Sequence, residues 1–148
     1  FHPDHIANVQ HIKWESLYQG KNTYKYTHIG EIVESDINVD ETDIKLRIFQ
    51  MPSSHAKGSL ALLVNNKYCL LGDALYPAHK GDKTVYNAGI LKQQIDILKK
   101  MAAPYVLLSH REPFVQKKQA VISWLEKIYA MREKNEPWIL MTGQNVPN

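Results

Sequence analysis

Two short apolar runs separated by a tight polar turn place the strongest constraint on how this chain can fold. Residues 60–64 (LALLV) and 68–71 (YCLL) are continuously apolar, and Asn65, Asn66 and Lys67 lie between them. Apolar runs of this length are typical of buried strands, and a polar turn with consecutive asparagines is typical of a hairpin. The segment therefore predicts a buried β-hairpin in the middle of the chain.

The segments around this hairpin predict further strands and two long helices. Apolar and polar residues alternate over residues 44–49, and residues 105–108 form another short apolar run, so both are predicted strands. Apolar residues at helical spacing predict one helix over residues 88–103, ended by Pro104, and another over residues 115–133.

The N-terminal third of the chain is less regular. We expect a short helix over residues 4–17, a turn over residues 18–22 and one or two strands over residues 24–33. Residues 34–43 are acidic and contain no long apolar run, which favours a solvated hairpin connection over a catalytic pair of carboxylates. The order helix, strands, helix, strand, helix predicts one α/β domain spanning residues 1–148.

Length, charge and cysteine content exclude several classes of protein. The 148 residues suit one domain, and no apolar stretch approaches the ~20 residues that a membrane-spanning helix requires. The single cysteine, Cys69, excludes an internal disulfide. The net charge of +3 comes without a long basic run, so a nucleic acid is not an expected partner. We expect a cytoplasmic location.

Residues that commonly bind metals occur where the predicted strands end. His55, Asp73 and His110 each follow a predicted strand, and His2, Asp4 and His5 precede the first predicted helix. The ends of several strands can converge on one edge of an α/β sheet, which is where such folds place their sites. Imidazole and carboxylate are suitable zinc ligands, and a carboxylate can bridge two ions. The pattern predicts a metal site at this edge.

Four short motifs carry a resemblance to a known family. His2-Pro3-Asp4-His5, residues 54–59 (SHAKGS), residues 71–74 (LGDA) and residues 108–110 (LSH) resemble, in this order and spacing, the motifs of the metallo-β-lactamase-fold hydrolases. The first motif of that family is His-x-His-x-Asp-His, and this chain matches its last four positions. The leading histidine would fall immediately before Phe1. We therefore expect a histidine and a set of strands to precede Phe1 in the parent gene.

The resemblance implies a four-layer αββα sandwich whose N-terminal strands are missing from this chain. It also implies six metal ligands: His2, Asp4, His5, His55, Asp73 and His110. His2 and His55 would bind the first ion together with the missing histidine. Asp4, His5 and His110 would bind the second ion, and Asp73 would bridge both. Two zinc ions are expected, with iron or manganese as alternatives.

Two residues are implied to take part in catalysis. In the family, the residue matched by Asp4 orients a metal-bridging hydroxide. Tyr76 lies where lactone-cleaving members carry a tyrosine that contacts the substrate carbonyl, and its phenol could stabilise an oxyanion there. Packing beside Pro77 is the equally weighted alternative for Tyr76. His79, His11 and His28 are interpreted as surface or structural histidines, although substrate contact by His79 is the alternative.

The resemblance implies a metal-dependent hydrolase that attacks a small ester, lactone or thioester. Two alternatives stay open: a ribonuclease-type phosphodiesterase of the same fold, and a non-catalytic fragment or interaction module. The expected partner is a small-molecule substrate. A second copy of the chain or the missing N-terminal segment would be the protein partner.

Overall fold

The computed structural model describes residues 6–142, which form a mixed α/β structure. Three α-helices are present in this range: α1 (Lys21–Thr27), α2 (Ala88–Lys100) and α3 (Lys118–Ala130). The strands, in chain order, are β1 (Tyr18–Gln19), β2 (Glu31–Ile32), β3 (Ile37–Asp40), β4 (Lys45–Gln50), β5 (Leu60–Val64), β6 (Tyr68–Gly72), β7 (Ala78–Lys80), β8 (Lys83–Asn87), β9 (Tyr105–Leu108), β10 (Val115–Lys117) and β11 (Trp138–Met141). No helix within residues 6–142 has the length and apolar character needed to cross a membrane.

A six-stranded sheet in the order β10-β9-β6-β5-β4-β3 forms the centre of the fold. Its neighbouring strands run antiparallel, except for β6 and β9, which pair in parallel. The parallel pairing brings the carboxyl ends of β6 and β9 to the same edge, where Gly72 lies opposite Leu108. The loop that precedes β5 reaches this edge as well, because β5 runs antiparallel to β6.

The predicted hairpin is present as β5 and β6. Asn65 and Asn66 at its turn both have left-handed backbones, with φ of 50° and 51°. Asparagine adopts this conformation more readily than most residues, which explains the asparagine pair in a tight hairpin. The Asn65 side chain also accepts a hydrogen bond from the backbone N–H of Lys45 at 2.6 Å, which ties the turn to β4.

One face of the six-stranded sheet packs against helices α2 and α3. Alternate residues of its strands, such as Leu63, Cys69 and Val106, belong to the same buried cluster as Leu91 of α2 and Leu125 of α3. The predicted strands at residues 44–49 and 105–108 are confirmed, and both predicted long helices are present, although the first ends at Lys100 rather than at residue 103. The apolar stripes of both helices are therefore explained by burial against this face.

The opposite face of the sheet, here called the outer face, carries an apolar row that crosses all six strands. Paired residues form this row: Ile37, Ile48, Leu62, Leu70, Leu107 and Val115. Leu70 is 37% exposed and Val115 is 43% exposed, while the other four are half-buried. Apolar side chains on both faces are typical of a sheet that is covered on both sides.

A small antiparallel sheet in the order β11-β8-β7 was not predicted. Tyr86 of β8 and both Ile139 and Met141 of β11 join the main buried cluster. These strands are short, and β7 and β8 contain lysines at their ends. The sequences of β7 and β8 therefore lack the continuous apolar run or long alternation by which strands are recognised, whereas β11 is a continuous apolar run (WILM) that sequence reasoning missed.

Several predictions for the N-terminal third were wrong. Strands were expected over residues 24–33, where β2 (Glu31–Ile32) is present, but residues 24–27 belong to helix α1, which buries none of its side chains. The preference of tyrosine and threonine for strands depends on packing against a half-buried sheet, which is absent at this segment. The expected turn at residues 18–22 contains β1 and the start of α1, and His28 ends that helix in a left-handed conformation.

Two predicted helices have different bounds. Within the described part of residues 4–17 there is a 3-10 helix at Val9–His11 that buries no side chain, and the backbone becomes extended at Ile12. A helix without a buried face gains little stability, which explains its shortness. The last helix begins at Lys118 rather than Val115, because Val115–Lys117 pairs with β9. The acidic segment 34–43 was expected to be a solvated hairpin connection. Its residues 37–40 instead form strand β3, and only the residues after β3 connect it to β4.

Candidate metal centre

Three of the predicted metal ligands lie on loops at one edge of the six-stranded sheet. His55 is in the loop between β4 and β5, Asp73 directly follows β6, and His110 follows β9. The backbone N–H of Ser109 donates to the Gly72 carbonyl at 3.2 Å, so the ends of β6 and β9 are joined by a hydrogen bond beyond their pairing. The structure therefore brings these three side chains together at the edge where the sequence predicts a site.

The carboxylate of Asp73 lies between the two imidazoles. Its Oδ2 is 3.7 Å from Nε2 of His55, and its Oδ1 is 3.7 Å from Nε2 of His110. The Asp73 side chain is 7% exposed and that of His55 is 16% exposed, whereas that of His110 is 65% exposed. The site is therefore closed at its His55 end and open to solvent at its His110 end.

The orientation of His55 is set by a backbone carbonyl. Nδ1 of His55 lies 2.8 Å from the Pro77 carbonyl oxygen, which can only accept a hydrogen bond, so Nδ1 carries the proton. In neutral imidazole the other nitrogen, Nε2, then has a lone pair, and it faces Asp73. Metal-binding histidines commonly donate their second nitrogen to a carbonyl or carboxylate in this way, because that contact fixes both tautomer and ring orientation.

Serines hold the loop that contains His55. The hydroxyl of Ser53 accepts hydrogen bonds from the backbone N–H groups of His55 and Ala56, both at 3.1 Å. The hydroxyl of Ser54 accepts from the backbone N–H of Asn87 at 3.0 Å, which anchors the loop beside the start of α2. A serine that caps the turn after it is a common local motif. The cap formed by Ser53 could have been predicted from the order Ser53-Ser54-His55 in the sequence.

Tyr76 joins the Asp73 loop to the His110 loop. Its hydroxyl donates a hydrogen bond to the Ser109 carbonyl, next to His110 in the chain. Its ring lies edge-on to His55, with ring centroids 6.1 Å apart. Burial raises the pKa of Tyr76, an effect that Arg111 opposes and Asp73 reinforces. The phenol is therefore protonated at neutral pH, and its proton points at Ser109 in this arrangement.

His110 is held in a strained conformation. Its φ is 57°, in the left-handed region that non-glycine residues seldom adopt. Such strain is concentrated at functional sites, where the surrounding structure imposes it. The Ser109 contacts with Gly72 and Tyr76 supply that constraint.

The remaining predicted ligands, His2, Asp4 and His5, lie outside the described residues. Within residues 6–142, no group of three or more histidine, cysteine, aspartate or glutamate side chains surrounds one point closely enough to hold a metal ion. The reason is geometric, because His55 and His110 approach different oxygens of Asp73. Each side of the carboxylate therefore has one imidazole nitrogen and one carboxylate oxygen from this part of the chain.

The other described histidines and Cys69 lie within or at the end of helices and strands rather than on these three loops. His79 is exposed on β7, with Nδ1 3.3 Å from the Thr84 hydroxyl. His11 ends the 3-10 helix and His28 ends α1. Cys69 is fully buried in β6, and burial raises its pKa to about 12, so its thiol is uncharged at neutral pH.

Sequence reasoning did not identify the groups that position the ligands. The Pro77 carbonyl, the Tyr76–Ser109 hydrogen bond and the buried side chain of Gln94 all act across long separations in the chain. Only Gln94 gives a signal in the sequence, because it is a polar residue on the apolar stripe of α2. Comparison with models of known protein families and with curated proteins finds no match for this chain.

Proposed function

We propose that this chain is a metal-dependent hydrolase of the metallo-β-lactamase fold, with two divalent ions held on either side of Asp73. The observation that carries the proposal is the carboxylate of Asp73, which has an imidazole nitrogen 3.7 Å from each of its oxygens. This is the arrangement expected of a bridging carboxylate with one further ligand on each side. His2, Asp4 and His5 would complete the two sets of ligands.

The donor atoms fit such ions. With Nδ1 of His55 donating to Pro77, the lone pair of Nε2 faces an acceptor oxygen of Asp73. Two acceptors that face each other favour a cation between them. Zinc lies ~2.0–2.2 Å from nitrogen and oxygen ligands, so two ligands of a tetrahedral ion are roughly 3.4 Å apart. The observed 3.7 Å is close to this spacing.

When bound, zinc would supply a Lewis acid and lower the pKa of a coordinated water toward neutrality. The protein residues position the reacting groups around it. The Asp73 carboxylate is buried between the two imidazoles, and His55 keeps one tautomer through Pro77. Tyr76 fixes the Ser109–His110 loop and places its ring beside His55. The open side at His110 is the direction from which a substrate would approach.

We favour a small ester, lactone or thioester as the substrate. The resemblance to lactone-cleaving members at Tyr76 favours this class, and the Tyr76 ring lies edge-on to His55, although its hydroxyl donates to the Ser109 carbonyl in this structure. A phosphodiesterase acting on RNA needs several cations along the substrate path. Near the His110 loop, Arg111 packs over the ring of Trp124 with its guanidinium carbon 4.9 Å from the ring centroid, so its charge is directed at that ring.

The outer face of the sheet supports the finer assignment of the fold. A four-layer αββα sandwich requires a second sheet packed on the side of the first that faces away from its helices. The row from Ile37 to Val115 supplies the continuous apolar surface that such packing buries. We propose that a second sheet covers this face in the complete fold.

A metal titration of the full 148-residue chain tests the proposed function. We expect zinc analysis after gel filtration to give two ions per chain for the unaltered protein and at most one for Asp73→Ala. The matched control is Asp82→Ala, because Asp82 is an exposed aspartate in the β7–β8 turn and should leave binding unchanged. Equal zinc content in all three proteins would contradict the proposal. Metal binding without hydrolysis of ester, lactone or RNA substrates would favour a non-catalytic module.

A further inference from the structure

A buried glutamine on α2 contacts both of the loops that carry His55 and Asp73. Gln94 is 0% exposed, and its Nε2 donates to the Pro52 carbonyl at 2.7 Å and to the Ala74 carbonyl at 2.6 Å. Pro52 is three residues before His55, and Ala74 directly follows Asp73. One amide group therefore joins the two loops from beneath the site.

The position of Gln94 is otherwise apolar. The other buried residues of α2 are Leu91, Ile95 and Leu98, and they pack into the main core. Within the described residues, the Gln94 Oε1 atom is buried without a hydrogen-bond partner. A buried polar atom of this kind lowers stability, so a leucine would suit this helix face better on packing grounds alone. The two contacts to the loops give the amide a role that leucine cannot fill.

We infer that Gln94 is a positioning residue that sets the separation of His55 and Asp73 and thereby the affinity of the site for metal. This inference rests on the proposed function. Gln94 holds the backbone on the amino-terminal side of His55 and on the carboxyl-terminal side of Asp73, while Pro77 fixes the His55 ring itself. Without the Gln94 amide, the two carbonyls lose their shared donor and the loops can separate.

The test compares metal binding by Gln94→Leu and Gln94→Met with that of the unaltered full chain. Cobalt(II) is titrated into each protein, and both the dissociation constant and the visible absorption spectrum are recorded. Loss of an outer contact that orients metal ligands typically weakens metal binding by about 10- to 100-fold. We expect a loss of that size together with an altered cobalt spectrum. Gln94→Met keeps an unbranched side chain of similar length. It replaces Gln94→Leu as the test variant if the leucine variant does not fold.

Leu98→Ala is the matched control, because Leu98 is buried on the same face of α2 and leaves Gln94 in place. It should destabilise the fold yet keep the cobalt affinity and spectrum. Unchanged cobalt binding in the folded Gln94 variants would overturn the inference, as would an equal loss in Leu98→Ala. Absence of cobalt binding by the unaltered chain would instead contradict the proposed function, so the two failures are distinguishable.

Discussion

At the scale of single residues, the site depends on how each side chain is held. Asp73 has an imidazole nitrogen beside each of its two oxygens, and Tyr76 donates one hydrogen bond to the Ser109 carbonyl. These contacts differ in kind, because the Asp73 carboxylate would be shared by both ions while the Tyr76 hydroxyl acts on the His110 loop. Substitutions at the two positions should therefore differ in severity.

We expect Asp73→Ala to abolish metal-dependent hydrolysis and Tyr76→Phe to reduce it by about 10- to 100-fold, the usual loss when a contact that orients a metal ligand is removed. Steady-state kinetics with a chromogenic ester under zinc-replete conditions measures both. Unaltered activity of Asp73→Ala would rule out the bridging role. A larger loss of activity in Tyr76→Phe than in Asp73→Ala would show that hydrolysis depends more on the phenol than on the carboxylate.

Cys69 gives a prediction about stability rather than activity. Burial raises its pKa from an ordinary value of 9.0 to about 12, so the folded state retains a proton that the unfolded chain releases. The free energy of unfolding should therefore be unaffected by this thiol below pH 9 and fall as the pH rises from 9 toward 12. Between these two values, the free energy of unfolding should fall by roughly 1.4 kcal/mol per pH unit.

Urea unfolding at pH 8 and pH 10.5, for the unaltered chain and for Cys69→Ala, isolates this contribution. The alanine variant cannot titrate at position 69, so its stability should decline less over the same interval. Parallel declines in the two proteins would show that the thiol does not account for the pH dependence.

At the scale of elements, the β5–β6 hairpin determines where Asp73 lies. Its turn uses left-handed backbones at Asn65 and Asn66, and β6 then leads directly to Gly72 and Asp73. Because the alternation of faces is fixed by register, a slip in this hairpin would move the whole strand to the wrong face. The turn is therefore expected to tolerate only residues that accept a positive φ.

Asn66→Gly should leave the stability close to that of the unaltered chain, whereas Asn66→Val should lower it by about 1–2 kcal/mol. Glycine accepts the left-handed backbone and valine does not, and the exposed position limits other effects. Chemical denaturation monitored by circular dichroism measures both. A valine variant as stable as the glycine variant would contradict the turn assignment.

The elements also show which features could be predicted from the sequence. The hairpin, α2 and the strand after Pro104 have clear apolar patterns, and these elements were located correctly apart from the end of α2. The convergence of His55, Asp73 and His110 followed from their positions at strand ends. The strands β7 and β8 and the Gln94 contacts could not be predicted, because they depend on packing between segments distant in the chain. The strand β11 was missed although its sequence is continuously apolar.

At the scale of the whole molecule, the two faces of the six-stranded sheet differ. Leu71 on the helix side is 1% exposed, and its neighbour Leu70 on the outer face is 37% exposed. Leu71→Ala should therefore cost about 2–5 kcal/mol of folding free energy, which is the usual range for a buried leucine. Leu70→Ala should cost well under half of this in the same chain. Similar losses for both, measured by urea unfolding, would contradict the assignment of faces.

The central claim is that Asp73 lies between two metal ions. The most direct measurement is anomalous diffraction at the zinc edge from crystals of the full chain grown with zinc. We expect two zinc peaks, one beside each oxygen of Asp73 at ~2.0–2.2 Å, with Nε2 of His55 near one and Nε2 of His110 near the other. Zinc peaks only at sites away from Asp73, or none at all, would contradict it.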